Sequence, residues 1–149
     1  MEKFLLLKNK IKKNEGFRSE PYLDSLGHQT IGYGHLITKK EKKVFQSKFS
    51  KKFLSNLFNK DFKIALKAYK KNFNYKKHSK DTKEVLIEMI FQLGIKKQKK
   101  FVKMNKHIQN NNMFLAALEM KNSLWYKQTP KRVDGLINLL LKKEYEKKR

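Results

Sequence analysis

The chain has no cysteine, and its 149 residues include only two prolines and six glycines. Without cysteine there is no disulfide framework, no thiolate zinc site and no cysteine nucleophile. Long apolar runs are also missing. The run from Phe4 to Leu7 is well short of the roughly 7–15 residues of a secretory core or the about 20 of a membrane-spanning helix. We therefore expect a soluble protein without a recognisable export signal.

Arginine is scarce, because only Arg18, Arg132 and Arg149 accompany the many lysines that give a formal net charge of +24. Such a charge favours anionic partners: nucleic acid, an acidic membrane or an anionic wall polymer. Proteins that read nucleic acid rely on the planar fork of arginine, so we expect no specific nucleic-acid binding. Lysine spread over the whole chain can equally reflect an AT-rich genome.

The charge alone is compatible with two kinds of function. One is a basic helical module that binds nucleic acid without sequence specificity. The other is a cationic protein whose C-terminal helix disrupts anionic bilayers through five basic residues. These are Lys142, Lys143, Lys147, Lys148 and Arg149.

The apolar spacing predicts a mostly helical protein, and at 39% hydrophobic the chain can bury one core without staples. Glycines between residues 16 and 34 predict a small antiparallel sheet of two or three strands. Thr38 and Glu41 form a capping box that predicts a helix of about ten residues, and Asp81 with Glu84 forms another. Ser50 is expected to cap the long helix. Helices are predicted at about 2–13, 51–71, 82–93, 99–109, 113–122 and 130–146.

The stretch from Glu15 to His35 concentrates helix-breaking residues beside carboxylates. Glu15 at a helix end and Asp24 on the hairpin have the residue types of a glycosidase pair, in which one acid protonates the leaving oxygen and the other group activates water. Gly32 and Gly34 would let a sugar approach the backbone closely. The alternative is that both acids simply pair with surface lysines, at little energetic value.

The pattern E-G-x-x-x-x-x-Y-x-D-x-x-G-x-x-T-I-G-x-G-H over residues 15–35 resembles the signature of the phage-type lysozymes, the glycoside hydrolase family of T-even phage lysozyme. Three later segments agree in order and kind: L-F-N-K-D at 57–61, M-I-F-Q-L-G at 89–94 and W-Y-K-Q-T-P-x-R at 125–132. The resemblance covers nearly the whole chain.

That resemblance implies an α+β, mostly helical, two-lobed fold in one lysozyme-like domain. A small lobe, about 14–50, would hold the active-site hairpin, and a bridging helix, about 51–71, would lead to a helical lobe. The helical lobe would comprise about 72–149 together with the N-terminal helix 2–13. The segment between His35 and Ser50 is shorter than in the T-even phage enzyme, which leaves the substrate subsites there in doubt.

The implied activity is hydrolysis of the β-1,4 bond between N-acetylmuramic acid and N-acetylglucosamine in peptidoglycan, by inversion, leading to bacterial cell lysis. By this match Glu15 is the general acid, Asp24 the second carboxylate, and Thr30 helps to hold the attacking water. Burial and the helix dipole would raise the pKa of Glu15, whereas Arg132 would lower it, so the sequence leaves the direction open.

Other residues match supporting positions. Arg132 is expected to orient Glu15, and His35 is expected to pair with Asp61 and tie the hairpin to the bridging helix. Candidate substrate contacts are Tyr22, Leu36, Phe91 and Gln92, although Phe91 fits a core position nearly as well.

The implied partner is peptidoglycan, with attraction to anionic wall or membrane surfaces, and we expect a monomer. No cofactor is implied, and the histidines have no metal-ligand spacing. If the chain is phage-encoded, it would stay in the host cytoplasm and reach the wall after the membrane has been permeabilised.

Overall fold

The computed structural model describes residues 3–147, which form eight α-helices and one three-stranded sheet. The predicted α+β, mostly helical, lysozyme-like fold is confirmed. Residue 2 of the predicted first helix, and Lys148 and Arg149 of the basic C-terminus, lie outside the described residues. The helices are α1 (Leu5–Glu15), α2 (Lys51–Asn72), α3 (Lys80–Leu93), α4 (Ile95–Lys99), α5 (Val102–Gln109), α6 (Met113–Lys121), α7 (Leu124–Gln128) and α8 (Pro130–Lys147). The strands are β1 (Arg18–Leu23), β2 (Gln29–Gly32) and β3 (His35–Leu36).

The chain divides into two compact units, and the boundary between Ile64 and Ala65 falls inside α2. The first unit contains α1, the sheet and the beginning of α2. The second contains the end of α2 and all later helices. The three catalytic candidates therefore belong to one unit.

Helix α1 buries Leu7 and Ile11, which lie one turn apart on its apolar face. It ends at Glu15 because Gly16 follows with a φ of +74°, a conformation that favours glycine. The last residue of the helix is thus a carboxylic acid, as the sequence predicted.

The sheet is antiparallel, in the order β1-β2-β3. An irregularity in the register between Arg18 and Tyr22 contains Pro21, which is tolerated because β1 is an edge strand. Behind the sheet, Ile31, Ile37, Phe45 and Leu54 form a buried cluster. This cluster fixes which face of the sheet is turned inward.

The helix predicted after Thr38 is absent, because residues 39–47 form turns and bends. The Glu41 carboxylate does accept the Thr38 backbone N–H at 3.0 Å, as a capping box requires. However, the same carboxylate also contacts His35 Nε2 at 3.1 Å, and Phe45 is drawn into the buried cluster. Tertiary contacts have therefore overridden the local helix signal.

The long helix α2 matches its predicted range closely, and Ser50 Oγ accepts the Phe53 backbone N–H at 3.1 Å, as a cap should. In the second unit the cap of α3 is Ser79, whose side chain accepts from Thr82 N, rather than the predicted Asp81. Asp81 instead occupies the first turn, where a negative charge suits the helix dipole.

Helix α3 is the centre of the second unit, because every residue from Val85 to Ile90 is buried. It packs against α8, which in turn packs against α6 and α7. Two short helices, α4 and α7, were not predicted; each has five residues and lies where we expected loop or the start of a longer helix. In the described part of the chain, no helix is both long and apolar enough to cross a membrane.

Candidate active site

The Glu15 carboxylate lies directly against the backbone of Gly34. A Cβ at position 34 would stand 2.5 Å from Glu15 Oε1 and 2.9 Å from its Cδ, and Gly34 has a φ of +76°. We predicted that Gly32 and Gly34 leave room for a sugar. The space at Gly34 is instead occupied by the acid, and that at Gly32 by Leu54, whose Cδ2 would be 3.3 Å from an added Cβ.

Asp24 begins the turn that joins β1 to β2. Its Oδ1 accepts the backbone N–H groups of Leu26 at 2.9 Å and His28 at 2.8 Å, which holds the carboxylate in place. Slight burial raises the pKa of Asp24, but these hydrogen bonds and the nearby His28 outweigh it, and the net pKa is below the ordinary value. Asp24 therefore remains ionised at neutral pH.

His28 is a neighbour of Asp24 that the sequence analysis did not predict. Its Nδ1 lies 3.5 Å from Asp24 Oδ2. The signal that would have found it is the tight turn, since a four-residue separation across a turn returns the side chain to the first residue.

Thr30 is almost fully buried, with 2% of its surface exposed. Its Oγ1 donates a hydrogen bond to the His28 carbonyl at 2.9 Å. The hydroxyl proton is thus already used, so the oxygen is available as an acceptor for a further donor such as water.

Tyr22, Thr30 and Leu36 form a row across the three strands. Tyr22 is paired with Thr30, and Thr30 with Leu36, so their side chains lie on one face of the sheet. The pKa of Tyr22 is raised by burial first and then by the charge of Glu15, with Asp24 adding and Arg18 opposing. The pKa of Tyr22 thus responds to the charges of both acids.

His35 lies on the other side of the hairpin, between two carboxylates. Its Nδ1 is 2.7 Å from Asp61 Oδ2 on α2, the predicted pair, and its Nε2 is 3.1 Å from Glu41. Burial lowers the pKa of His35, but hydrogen bonds to Asp61 and Glu41 outweigh burial and raise the pKa above its usual value. The His35 side chain thus fastens the hairpin and the 38–45 turn to α2.

This cluster predicts a pH-dependent stability. Because the folded pKa of His35 is raised, its stabilisation is complete below the unfolded pKa of about 6.5 and disappears as pH rises through the folded value. We expect His35→Gln to lower the free energy of unfolding by about 1–3 kcal/mol below pH 6, and by progressively less towards pH 8. Chemical denaturation at several pH values measures the difference.

His107→Gln on α5 controls for the general effect of losing an imidazole. A gap between wild type and His35→Gln that stays constant from pH 5.5 to pH 8 would contradict the assignment. Glu41 sets the acidic limit: its pKa is lowered, because hydrogen bonds from Thr38 and His35 outweigh burial, so its contribution is lost as pH falls through that pKa.

Gln92, a predicted substrate contact, uses both ends of its amide within the second unit. Its Oε1 accepts from Trp125 Nε1 at 2.9 Å, and its Nε2 donates to Thr129 Oγ1 at 3.2 Å. Trp125 is buried, as expected for a packing aromatic, and Phe91 is half-buried. A substrate role for Phe91 and Gln92 stays a prediction.

Arg132 is held by Glu88, a residue that the sequence analysis treated only as part of an apolar run. Arg132 Nε donates to Glu88 Oε2 at 2.8 Å, and the Glu88 side chain is fully buried. A buried carboxylate is costly unless it is paired, so this contact explains how α3 tolerates a charge. The predicted orientation of Glu15 by Arg132 stays a prediction.

The first unit thus carries one carboxylic acid at the end of α1 and a second one in the hairpin, and glycoside hydrolases use such a pair of acids. Comparison with known proteins gives the family: the model described as phage lysozyme matches residues 12–144, which include Glu15, Asp24 and Thr30, and the chain belongs to that family. Two curated relatives are from Dictyostelium discoideum. "Probable T4-type lysozyme 2" is 32% identical over 89% of this chain and 92% of its own length. "Probable T4-type lysozyme 1" is 32% identical over 90% and 92%.

Family membership supports a lysozyme-like muramidase function, and it implies peptidoglycan as the substrate. The sequence motif and the family comparison thus agree on the class of reaction. Which bond is cut, and by what mechanism, is a matter for the geometry of the first unit.

Proposed function

We propose that this chain hydrolyses the β-1,4 bond between N-acetylmuramic acid and N-acetylglucosamine with inversion at the anomeric carbon. The observation that carries the proposal is the seating of the Glu15 carboxylate against Gly34. Through this contact the acid at the end of α1 is held by the hairpin that also carries Asp24 and Thr30. All three groups belong to one compact unit, which supports a shared role.

In the proposed reaction Glu15 donates its proton to the glycosidic oxygen as the bond from the anomeric carbon to that oxygen breaks. Asp24, kept ionised by the backbone N–H groups of Leu26 and His28, stabilises the positive charge that develops on the sugar. Water attacks the anomeric carbon from the opposite face and loses a proton to Asp24.

Thr30 fits the role of a water holder. Because its own proton is donated to the His28 carbonyl, Oγ1 is left to accept a hydrogen bond from the water and to direct it. The low exposure of Thr30 limits the number of waters that can reach it. A water placed in this way is pre-oriented for attack, which lowers the entropic part of the barrier.

Product analysis tests the proposal directly. Digestion of purified sacculi should release muropeptides with reducing N-acetylmuramic acid, identified by mass spectrometry after borohydride reduction. Proton NMR during the first minutes of the reaction should show the α-anomer appearing first, because inversion of a β-linkage gives the α-sugar. Reducing N-acetylglucosamine ends would refute the bond assignment, and initial appearance of the β-anomer would refute inversion.

A further inference from the structure

The second unit contains a large open groove that takes no part in the catalysis proposed above. Its volume is about 1020 Å³, and it lies among the end of α2, the start of α3, helix α5 and the C-terminal part of α8. None of the catalytic candidates lines it. We call this feature the lysine groove and define it by Lys77, Lys99, Lys106, Lys143 and Lys147.

The charge of the groove is strongly positive. Five lysines line it against two carboxylates, Asp81 and Glu144, and all five lysines are exposed. One of the carboxylates is partly neutralised, since Glu144 Oε1 lies 3.8 Å from Lys147 Nζ. The remaining lysines are free to meet the charges of an anionic ligand.

Neutral amide side chains line the groove together with these lysines. Six asparagine or glutamine side chains line the groove, and those of Asn74, Gln109, Asn110 and Asn111 belong to exposed residues. Amides both donate and accept hydrogen bonds, so they suit a ligand that carries amide or hydroxyl groups between its charges. An acidic peptide or an acidic glycan has that combination.

Nucleic acid fits less well. Among the described residues that line the groove there is no arginine, and Phe73 is the one phenyl, indole or phenol ring. That ring is packed at 5.7 Å from the Tyr69 ring, and Tyr69 is in turn hydrogen-bonded to His78 Nδ1 at 2.6 Å. Bases held without sequence preference need open aromatic faces on which to stack, and this wall offers little of that kind.

We infer that the lysine groove binds the carboxylate-bearing peptide chains of the bacterial wall and so anchors the protein on its substrate. The lysines meet the peptide carboxylates and the amides meet the peptide backbone. The choice of ligand rests on the proposed muramidase function, but binding at the groove does not require that the first unit be catalytically active.

The test measures binding in a hydrolytically silenced full-length chain, Glu15→Gln, so that the ligand stays intact. Lys77→Gln/Lys106→Gln/Lys143→Gln removes three groove charges. Lys96→Gln/Lys103→Gln/Lys131→Gln removes three exposed lysines of the same unit that lie outside the groove. Co-sedimentation with intact sacculi, and with glycan strands freed of peptide by an amidase, gives the affinities.

We expect the groove variant to bind intact sacculi about tenfold more weakly, because it loses three exposed charge pairs of ordinary strength. The affinity of the control variant should change by less than about twofold. On peptide-free glycan the two variants should be equal. The charge-conserving variant Lys77→Arg/Lys106→Arg/Lys143→Arg should keep wild-type affinity, which separates lost charge from lost folding.

Three outcomes would overturn the inference. Equal losses in the groove and control variants would mean that net charge alone matters. A groove variant that loses as much affinity for peptide-free glycan as for intact sacculi would exclude the peptide as the ligand. A groove variant that binds sacculi normally, but binds a single-stranded oligonucleotide in a parallel assay more weakly than the control variant does, would indicate nucleic acid. Failure of the wild-type chain to cleave sacculi would refute the proposed hydrolysis, yet the groove result could still stand, so the two failures are distinguishable.

Discussion

Replacing Glu15 with glutamine should lower the rate of peptidoglycan hydrolysis by about 10²–10⁴-fold, because the leaving oxygen then has no proton donor at the end of α1. Turbidity of a sacculus suspension, or release of reducing sugar, measures the rate. Wall binding should persist, because the amide has the same shape as the acid.

Glu20→Gln is the matched control, since Glu20 is an exposed acid of the same hairpin. It should retain activity within about twofold, in line with the small energetic value of exposed charges. Lysis of whole cells that survives Glu15→Gln would instead support the cationic, membrane-disrupting alternative.

Gly34→Ala is expected to be nearly as damaging to activity, although residue 34 takes no part in the chemistry. The new Cβ would stand 2.5 Å from Glu15 Oε1, so the acid has to move aside by about an ångström. A displacement of that size at a catalytic group costs about 10²-fold in rate. Initial rates on sacculi, measured well below the melting temperature, give the effect.

Gly94→Ala separates this displacement from backbone strain. Gly94 has a φ of +82°, close to that of Gly34, but nothing lies within 4 Å of the Cβ it would gain. In both variants an alanine has to adopt a left-handed backbone conformation, which should lower the free energy of unfolding by about 1–2 kcal/mol. Only Gly34→Ala should also show the large loss of activity. Equal activity losses in the two variants would show that the contact with Glu15 is unimportant.

Much of the first unit was predictable because its signals are local. Glycine after Glu15 ends a helix, and the glycines and strand-forming residues around Asp24 and Thr30 favour a hairpin. The resemblance over residues 15–35 then supplied roles that spacing alone could not. The length of α2 followed from an uninterrupted helical period.

The failures have tertiary causes. The segment after Thr38 carries a good capping box, but the sequence does not indicate that His35 would hold Glu41 or that Phe45 would enter the core. Likewise, the glycine pattern predicts that some group approaches the backbone closely, but it does not indicate which group. At Gly34 that group is the Glu15 carboxylate and not a sugar.

The sequence also did not predict the partners of polar and charged side chains that lie inside apolar runs. Glu88 lies within the buried stretch of α3, and only the fold reveals that Arg132, more than forty residues later, donates a hydrogen bond to it. Gln92 is a similar case, because both ends of its amide form hydrogen bonds to residues of a later segment. These are Trp125 in α7 and Thr129 directly after that helix. Contacts at such sequence separation have no local signature.

The row of Tyr22, Thr30 and Leu36 limits how this chain can change in length. Side chains alternate between the faces of a strand, so inserting or deleting one residue within β2 would turn Thr30 towards the buried cluster. The 39–47 turns carry no ladder hydrogen bonds, and their length can vary without moving that row. Insertions and deletions that leave Glu41 and Phe45 in place should therefore be tolerated there and eliminated from the strands, so that loop length is the easiest way for such a scaffold to diversify.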